Sequence, residues 1–309
     1  MKTLVTGGAG FIGSNVVQLL LEQGHQVKIL DNLSTGYFKN IKDIDAEFIK
    51  GDIRNEEIVQ KAASQVDVIF HLAAHIGNVK SLQNPIEDSE INVLGTLNVL
   101  EAAKRNGIKK IIHSSSAGIF GELQYMPIDE KHPLEPDSFY GVSKLTGEKH
   151  ALCYGKIYGM VVVCLRYFNA YGINQRYDDY GNVIPIFSNR LLNNQPLIIY
   201  GDGEQTRDFV NAKDIAKLNL LAAEKATESG VYNVGCGKAI TINYLASLMQ
   251  EVAGKKVPIE YAPPRKGEVR LCRADISAIQ KTFGYNPDPD IKKGFEEYYE
   301  WFKNDNESK

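Results

Sequence analysis

The stretch TLVTGGAGFIGSN, residues 3–15, constrains the fold more than any other: a short apolar run ends in glycines at 7, 10 and 13, and a helix-like pattern starts at once. A strand that turns straight into a helix needs glycine for the turn and for close helix–strand packing. The unpaired amides of that helix's first turn then form a ready anion site. Taken alone, the spacing allows either a tight turn or a dinucleotide cradle.

The rest of the first half supplies context. Apolar strand candidates at 2–6, 26–30, 47–50, 67–72, 109–114 and 161–165 alternate with helix-length periodic segments at 11–22, 55–63, 85–105 and 138–156. Gly24 and Gly107 stand as helix stops. The alternation predicts an α/β fold with a doubly wound parallel sheet of the Rossmann type over residues 1–170. Past residue 171 the pattern changes to a polar aromatic loop (INQRYDDYGN), a helix at 183–193, short strands at 197–200 and 257–261, and a closing amphipathic helix with a polar tail. We read 171–309 as a second, smaller α/β substrate domain, with the chain returning to the first around 208–235.

Composition excludes more than it selects. With 35 basic and 38 acidic residues, a formal charge of −3 and no like-charge block, neither nucleic acid nor a membrane surface is an expected partner. Four scattered cysteines without a CxxC pair argue against a disulfide or zinc site, and no metal is expected. With no apolar signal core and no long apolar span, the expected location is the cytoplasm.

The cradle reading gains from distant partners. Asp31 ends the second strand, where a carboxylate accepts from an adenosine ribose 2′-OH and repels a 2′-phosphate, which favours NAD over NADP; a simple turn acid in DNLSTG is the alternative. Asp52 follows the third strand, placed to reach an adenine amino group with Ile53 against the ring, or else to cap a helix. SSSAGIFG (114–121) and YGVSK (140–144) carry the chemistry. Tyr140 and Lys144 share a helix face, so the ammonium is expected to lower the phenol's pKa, and Lys144 is placed to hold the nicotinamide ribose. Ser116, at a strand's carboxyl end, is placed to hydrogen-bond the oxygen whose proton Tyr140 exchanges. These three make a hydride-transfer site. His71, His75 and His113 lack ligand spacing and read as packing or cofactor-wall residues.

In the ordered series TGGAGFIGS, DNLSTG, GDI, HLAA, NVLGT, SSSA, YGVSK, LRYFNAYG, GDGEQTRDFV and PPRKGE, the chain resembles the extended short-chain dehydrogenase/reductase family, in its nucleotide-sugar branch typified by UDP-galactose 4-epimerases. The resemblance implies NAD held by Gly7, Gly10, Phe11, Ile12, Gly13, Asp31, Asn32, Ser34, Thr35, Gly36, Asp52, Ile53, Leu72, Ala73, Ala74, Ser114, Tyr140, Lys144 and Tyr167. It implies that Tyr140 removes the 4-OH proton while hydride passes to NAD, and that the 4-keto sugar turns over and takes the hydride back. It places Asn169, Arg207 and Arg265 at the nucleotide diphosphate, Asn182, Val183 and Tyr200 near uridine, and Ser116 and Tyr140 at the sugar. A homodimer through helices near 85–105 and 138–156 is also implied.

Departures narrow the reaction. Sugar 4,6-dehydratases of the branch carry Thr-Asp-Glu where this chain has Ser116-Ala117-Gly118, so dehydration is disfavoured. Phe120 replaces a common tyrosine. UDP-glucuronate epimerases tend to carry Thr at Asn169. Cys272, seven residues past Arg265, falls where a bulky tyrosine restricts the pocket to plain hexoses. Its small side chain implies that UDP-N-acetylhexosamines are accepted beside UDP-glucose and UDP-galactose, unless it is only a packing residue. The alternatives are a UDP-glucuronate 4-epimerase, an NDP-sugar reductase, an epimerase at another carbon, and a non-catalytic NAD sensor. The intact Ser116, Tyr140 and Lys144 speak against the last.

Overall fold

A computed structural model describes residues 1–177, 182–265, 269–288 and 290–307. Parts of two motifs singled out above, 178–181 of the polar loop and 266–268 of PPRKGE, lie outside the described residues, as do 308–309 of the tail.

In the first half, strands β1 (Lys2–Thr6), β2 (Gln26–Asp31), β3 (Glu47–Lys50), β4 (Val68–His71), β5 (Lys110–Ser116) and β6 (Val161–Tyr167) alternate with helices. These are α1 (Phe11–Glu22), α2 (Glu56–Ala62), α3 (Asn78–Gln83), α4 (Pro85–Ser89), α5 (Thr96–Arg105) and α6 (Phe139–Tyr158). The second half runs β7 (Asn169–Tyr171), α7 (Val183–Leu192), β8 (Leu197–Tyr200), β9 (Thr206–Asn211), α8 (Ala212–Lys225) and β10 (Gly230–Val234). It continues through β11 (Ala239–Thr241), α9 (Ile242–Ala253), β12 (Ile259–Ala262), α10 (Ser277–Phe283) and α11 (Ile291–Glu307).

Seven strands form one parallel sheet in the order β10-β6-β5-β4-β1-β2-β3. Both faces are covered, which is why the strands read as continuous apolar runs. Leu4, Leu30, Ile69 and Ile111 point to the face under α2, α5 and α6. Val5, Ile29, Phe70 and Ile112 point to the face under α1 and α8. The doubly wound arrangement is the one expected. A separate core gathers Ile184, Phe187 and Leu191 of α7, Leu197 and Ile199 of β8, Leu245 and Met249 of α9, and Phe295, Tyr298 and Phe302 of α11.

Local differences from the expected elements have physical causes. The helix expected over 85–105 is interrupted by a π-helical turn at Glu90–Gly95. That extra residue keeps Asp88, Asn92 and Thr96, all buried, on the inward face. The strand expected from 257 starts at Ile259, because Pro258 has no N–H for the ladder and offers only its carbonyl, to Leu197 N. α6 is bounded by Ser138, whose hydroxyl accepts from Gly141 N at 3.1 Å, and by Gly159 at φ 67°. Among the described residues no helix is long and apolar enough to cross a membrane.

Candidate active site

Register aligns the carboxyl ends of the central strands. Thr6 lies opposite both Leu30 and His71, His71 opposite His113, and Ser116 opposite Tyr167. Connections from β1 lead one way along the sheet and those from β4 lead the other, so a crevice opens between these two strands.

Two of the three motif glycines are needed by the fold itself. Gly7 has φ +72°, and a Cβ there would stand 2.7 Å from Ala73 N. A Cβ on Gly13 would stand 2.0 Å from the Gly7 carbonyl oxygen. Gly10 differs, since an added Cβ meets only that same oxygen, at 3.1 Å. It caps α1 without a side chain, and the first turn holds no acid, so among the described residues no side chain caps the amides at the head of α1. This cradle fits the pyrophosphate of NAD.

Asp31 is buried and ties the cradle to β2: Oδ2 accepts from Ala9 N at 3.0 Å and Oδ1 from Leu33 N at 2.8 Å. Burial pushes its pKa up, with those two amides opposing. Among the described residues each oxygen accepts one hydrogen bond, which leaves a lone-pair direction for a ribose hydroxyl. Asn32 accepts from Ser34 N at 2.9 Å, Thr35 is exposed, and Gly36 packs so closely on Ala9 that a Cβ would stand 2.9 Å from its carbonyl carbon.

Asp52 does not cap the helix that follows it. Its Oδ1 accepts from Arg54 N and Nε, its Oδ2 from Arg54 Nη2 and from Asn32 Nδ2 at 2.8 Å, and Asn55 caps α2 instead. The Arg54 hydrogen bond brings Asp52 down to about 2. Ile53 is buried against Gly95. The Tyr167 hydroxyl is bonded to Asn219 of α8 inside the core.

At the reaction centre, Ser116 Oγ accepts from Gly118 N at 3.1 Å and bonds the Tyr140 phenol. The expected pull of Lys144 on that phenol is not what the geometry gives. Lys144 Nζ is drawn to the Ser114 carbonyl at 2.5 Å, with Ser114 Oγ at 3.5 Å. Burial raises the phenol's pKa, Ser116 opposes it, and the Asp88 carboxylate adds to the rise. Lys144 itself falls from 10.5 to about 8 because burial disfavours its charge.

That shift has a consequence for stability. Between about pH 8 and pH 10.5 the unfolded chain holds a proton that folded Lys144 has released, so this group's contribution rises with pH across that window and is lowest below it. A charged Lys144 therefore opposes folding at neutral pH by an amount on the order of 3 kcal/mol. Lys144→Met is expected to raise the melting temperature at pH 7, with the gain fading toward pH 10.5. A melting temperature at pH 7 equal to or below that of the parent would refute it.

Two buried networks went unread in the sequence. The Thr6 hydroxyl accepts from the Leu72 and Ala73 amides, both at 3.2 Å, and donates to His71 Nδ1 at 2.7 Å. His71 Nε2 then donates to Thr96 Oγ1 at 3.0 Å, which itself donates to the Asn92 carbonyl, so a neutral Nε2–H tautomer satisfies every member. Burial brings His71 to about 3, in keeping with that state. In the second network His75 Nδ1 meets Asp88 Oδ1 at 3.0 Å, and the Asn92 amide joins His75, Asp88 and Ser143. The signal was polar residues at i, i+4 and i+8 (Asp88, Asn92, Thr96) on the inward face of an otherwise amphipathic helix. His113 lies beside His71, ring centroids 5.3 Å apart, with neither nitrogen partnered among the described residues.

On the second core's side, Arg207 Nη1 donates to the carbonyls of Thr206 and Val269 at 2.8 and 2.7 Å. The Arg265 guanidinium lies 4.0 Å over the Tyr200 ring, at the end of the β8–β12 pair. Asn169 Nδ2 donates to the Asp208 carbonyl at 3.2 Å, and Asn182, exposed, precedes Val183 at the head of α7 with no side-chain cap. Cys272 is buried, its amide on Thr206 Oγ1, and burial pushes its thiol up to about 11 while nearby Arg207 opposes.

Residues 3–235 match the family described as the NAD dependent epimerase/dehydratase family. A Methanocaldococcus jannaschii protein provisionally named UDP-glucose 4-epimerase is 43% identical over 305 residues, 98% of this chain and 99% of its own. The UDP-glucose 4-epimerase of Thermotoga maritima, solved with UDP-glucose, superposes with a TM-score of 0.94 at 36% identity over 99% of both chains. The UDP-N-acetylglucosamine 4-epimerase of Methanobrevibacter ruminantium, solved with UDP-N-acetylmuramic acid, does so with a TM-score of 0.94 at 36% identity over 98% of both.

Proposed function

The chain belongs to the NAD dependent epimerase/dehydratase family, and from that premise we propose that it is a 4-epimerase of UDP-hexoses that keeps its NAD through the cycle. The observation that carries this reading is the Ser116–Tyr140 pair beside a bare Gly118. A Cβ at 118 would lie 3.4 Å from Ser116 Oγ and 3.5 Å from the Tyr140 ring, so a carboxylate there would enter the reaction centre. This chain has none, and elimination of water needs an added acid and base. Oxidation and re-reduction at C4 need one proton carrier only.

The glycine loop, Asp31, Asn32, Ser34, Thr35 and Gly36 would hold NAD, which when bound would supply the acceptor for the C4 hydride and its source on return. Tyr140 removes the 4-OH proton in one direction and returns it in the other. Ser116 orients the sugar oxygen, and Lys144, anchored on Ser114, is placed to hold the nicotinamide ribose. Arg207 and Arg265, with Asn169, hold the diphosphate, and Asn182, Val183 and Tyr200 hold the uridine. In this division residues 1–170, with the return at 208–235, bind NAD, and 171–309 mainly bind the nucleotide sugar. A homodimer through α4, α5 and α6 belongs to the reading, supported by exposed Ile86, Leu94, Val142 and Ile157; sedimentation as a 34.4 kDa monomer would remove it.

Acceptance of both plain and N-acetylated hexoses is supported by the small Cys272 and by the two solved relatives, one named for each sugar type. Cys272→Tyr is expected to lower turnover of UDP-N-acetylhexosamines relative to UDP-hexoses by about tenfold or more. An unchanged ratio would assign Cys272 to packing alone. The decisive test incubates the purified protein, without added NAD, with a panel of nucleotide sugars and reads the products by NMR. Absence of C4 inversion in every case would overturn the proposal.

A further inference from the structure

The middle of the glycine loop is gripped from behind. Ala9 gives its N–H to Asp31, and its carbonyl accepts from Tyr37 N at 3.0 Å and from Asn40 Nδ2 at 2.8 Å. Residues 36–40 therefore cannot swing out without pulling on the loop itself. That segment is fastened in turn by a residue from far along the chain. Arg176 Nη2 donates to Asn40 Oδ1 at 2.9 Å, and its guanidinium stacks 4.0 Å over the Tyr37 ring.

Arg176 is held from its other side by the last turns of α11. Its Nε and Nη2 donate to the two oxygens of Asp305, at 3.1 and 3.2 Å, and Lys39 Nζ lies 2.6 Å from the same carboxylate. Both members of the Arg176–Asp305 pair are almost fully buried, with side chains 8% and 10% exposed. Buried Arg176 Nη1 has no partner among the described residues, so removing Asp305 would leave a poorly compensated cation. The arm's base is also tied to α1, through Asn15 Nδ2 on the Ile173 carbonyl and Asn174 Nδ2 on Ser14 Oγ, both at 2.9 Å.

We propose that Arg176 and Asp305 form a latch that fastens residues 36–40 to the back of the glycine loop and sets how long NAD stays bound. The inference rests on the reading that NAD occupies the cradle. Neither latch residue touches the reacting atoms; both act by positioning Tyr37 and Asn40, and through them Ala9. A cradle held rigid from behind slows release because a loop free to shift lets go of its ligand sooner.

The test compares NAD dissociation rates of full-length wild type, Arg176→Met, Asp305→Asn and Arg176→Lys, following release into excess NAD-consuming trap enzyme. Arg176→Met and Asp305→Asn should each release NAD about ten- to a hundredfold faster, Arg176→Lys less so, with activity restored by excess NAD. A purely structural role would lower thermal stability and leave the release rate of the folded protein unchanged, and that outcome overturns the proposal. Should a buried variant fail to fold, Tyr37→Ser, at a side chain 47% exposed in its residue total, removes the stacking partner instead, and unchanged release from it counts equally against the latch. Failure of wild type to invert C4 overturns the epimerase reading alone, since NAD release is measured without any sugar.

Discussion

Tyr140→Phe is expected to lower epimerisation by about a thousandfold or more while leaving NAD binding nearly intact. In the proposed mechanism the phenol is the single proton carrier paired with Ser116, and phenylalanine keeps the ring that packs against Gly118 while removing the group that would exchange the proton. Burial and the Asp88 carboxylate both hold the phenol in its neutral form, so the fraction able to act as base grows as pH rises toward its raised pKa. The wild-type rate should therefore climb with pH on the acid side, and the residual rate of the variant should lose that limb. NMR of sugar products gives the rate, and absorbance with acid extraction gives NAD content. A variant keeping more than about a tenth of wild-type turnover would show that another group carries the proton.

Glu148→Gln is expected to cost about 3–5 kcal/mol of folding stability. Glu148 lies one turn beyond Lys144 on α6 and is fully buried. Its two oxygens receive Arg166 Nη2 at 2.7 Å and Arg166 Nε at 3.0 Å, and Ser115 Oγ donates at 2.7 Å. The amide cannot match this pattern, because its NH₂ would face a guanidinium donor, and Arg166, itself 2% exposed, would stay charged and uncompensated against the Phe120 ring. Urea unfolding measures the loss. Replacing both partners at once, as Glu148→Leu with Arg166→Met, should recover much of it. A single Glu148→Gln change costing under about 1 kcal/mol would mean that the pair is solvated rather than buried.

The parts of this molecule legible in the sequence are those governed by local rules. The first six strands and most of the helices between them follow from apolar periodicity and from glycine stops such as Gly24 and Gly107, and the glycine loop follows from its spacing. β7, β9 and β11 did not show, because three- to six-residue strands in a mixed sheet carry too little periodicity to stand out. The Ser116–Tyr140 bond joins two residues that type and spacing had singled out together with Lys144. What Lys144 bonds was not legible, since its choice of the Ser114 carbonyl depends on how α6 lies across β5. What Asp52 bonds was not legible for a similar reason: a guanidinium two residues away reaches the carboxylate, and side-chain direction decides that. The Arg176 fastening joins residues 129 positions apart, and no local pattern announces it.

The position of β10 bears on how the chain comes off the ribosome. β10 completes the sheet beside β6, and α8 covers the same face as α1 with Ile215, Leu218 and Ala222. When residues 1–170 have emerged, β6 is still a bare edge and the outer flank of α1 is still wet. Until residue 234 is free, the nascent sheet presents an open ladder to any neighbouring strand, which makes the interval between those two points of synthesis the one in which this protein most needs a chaperone.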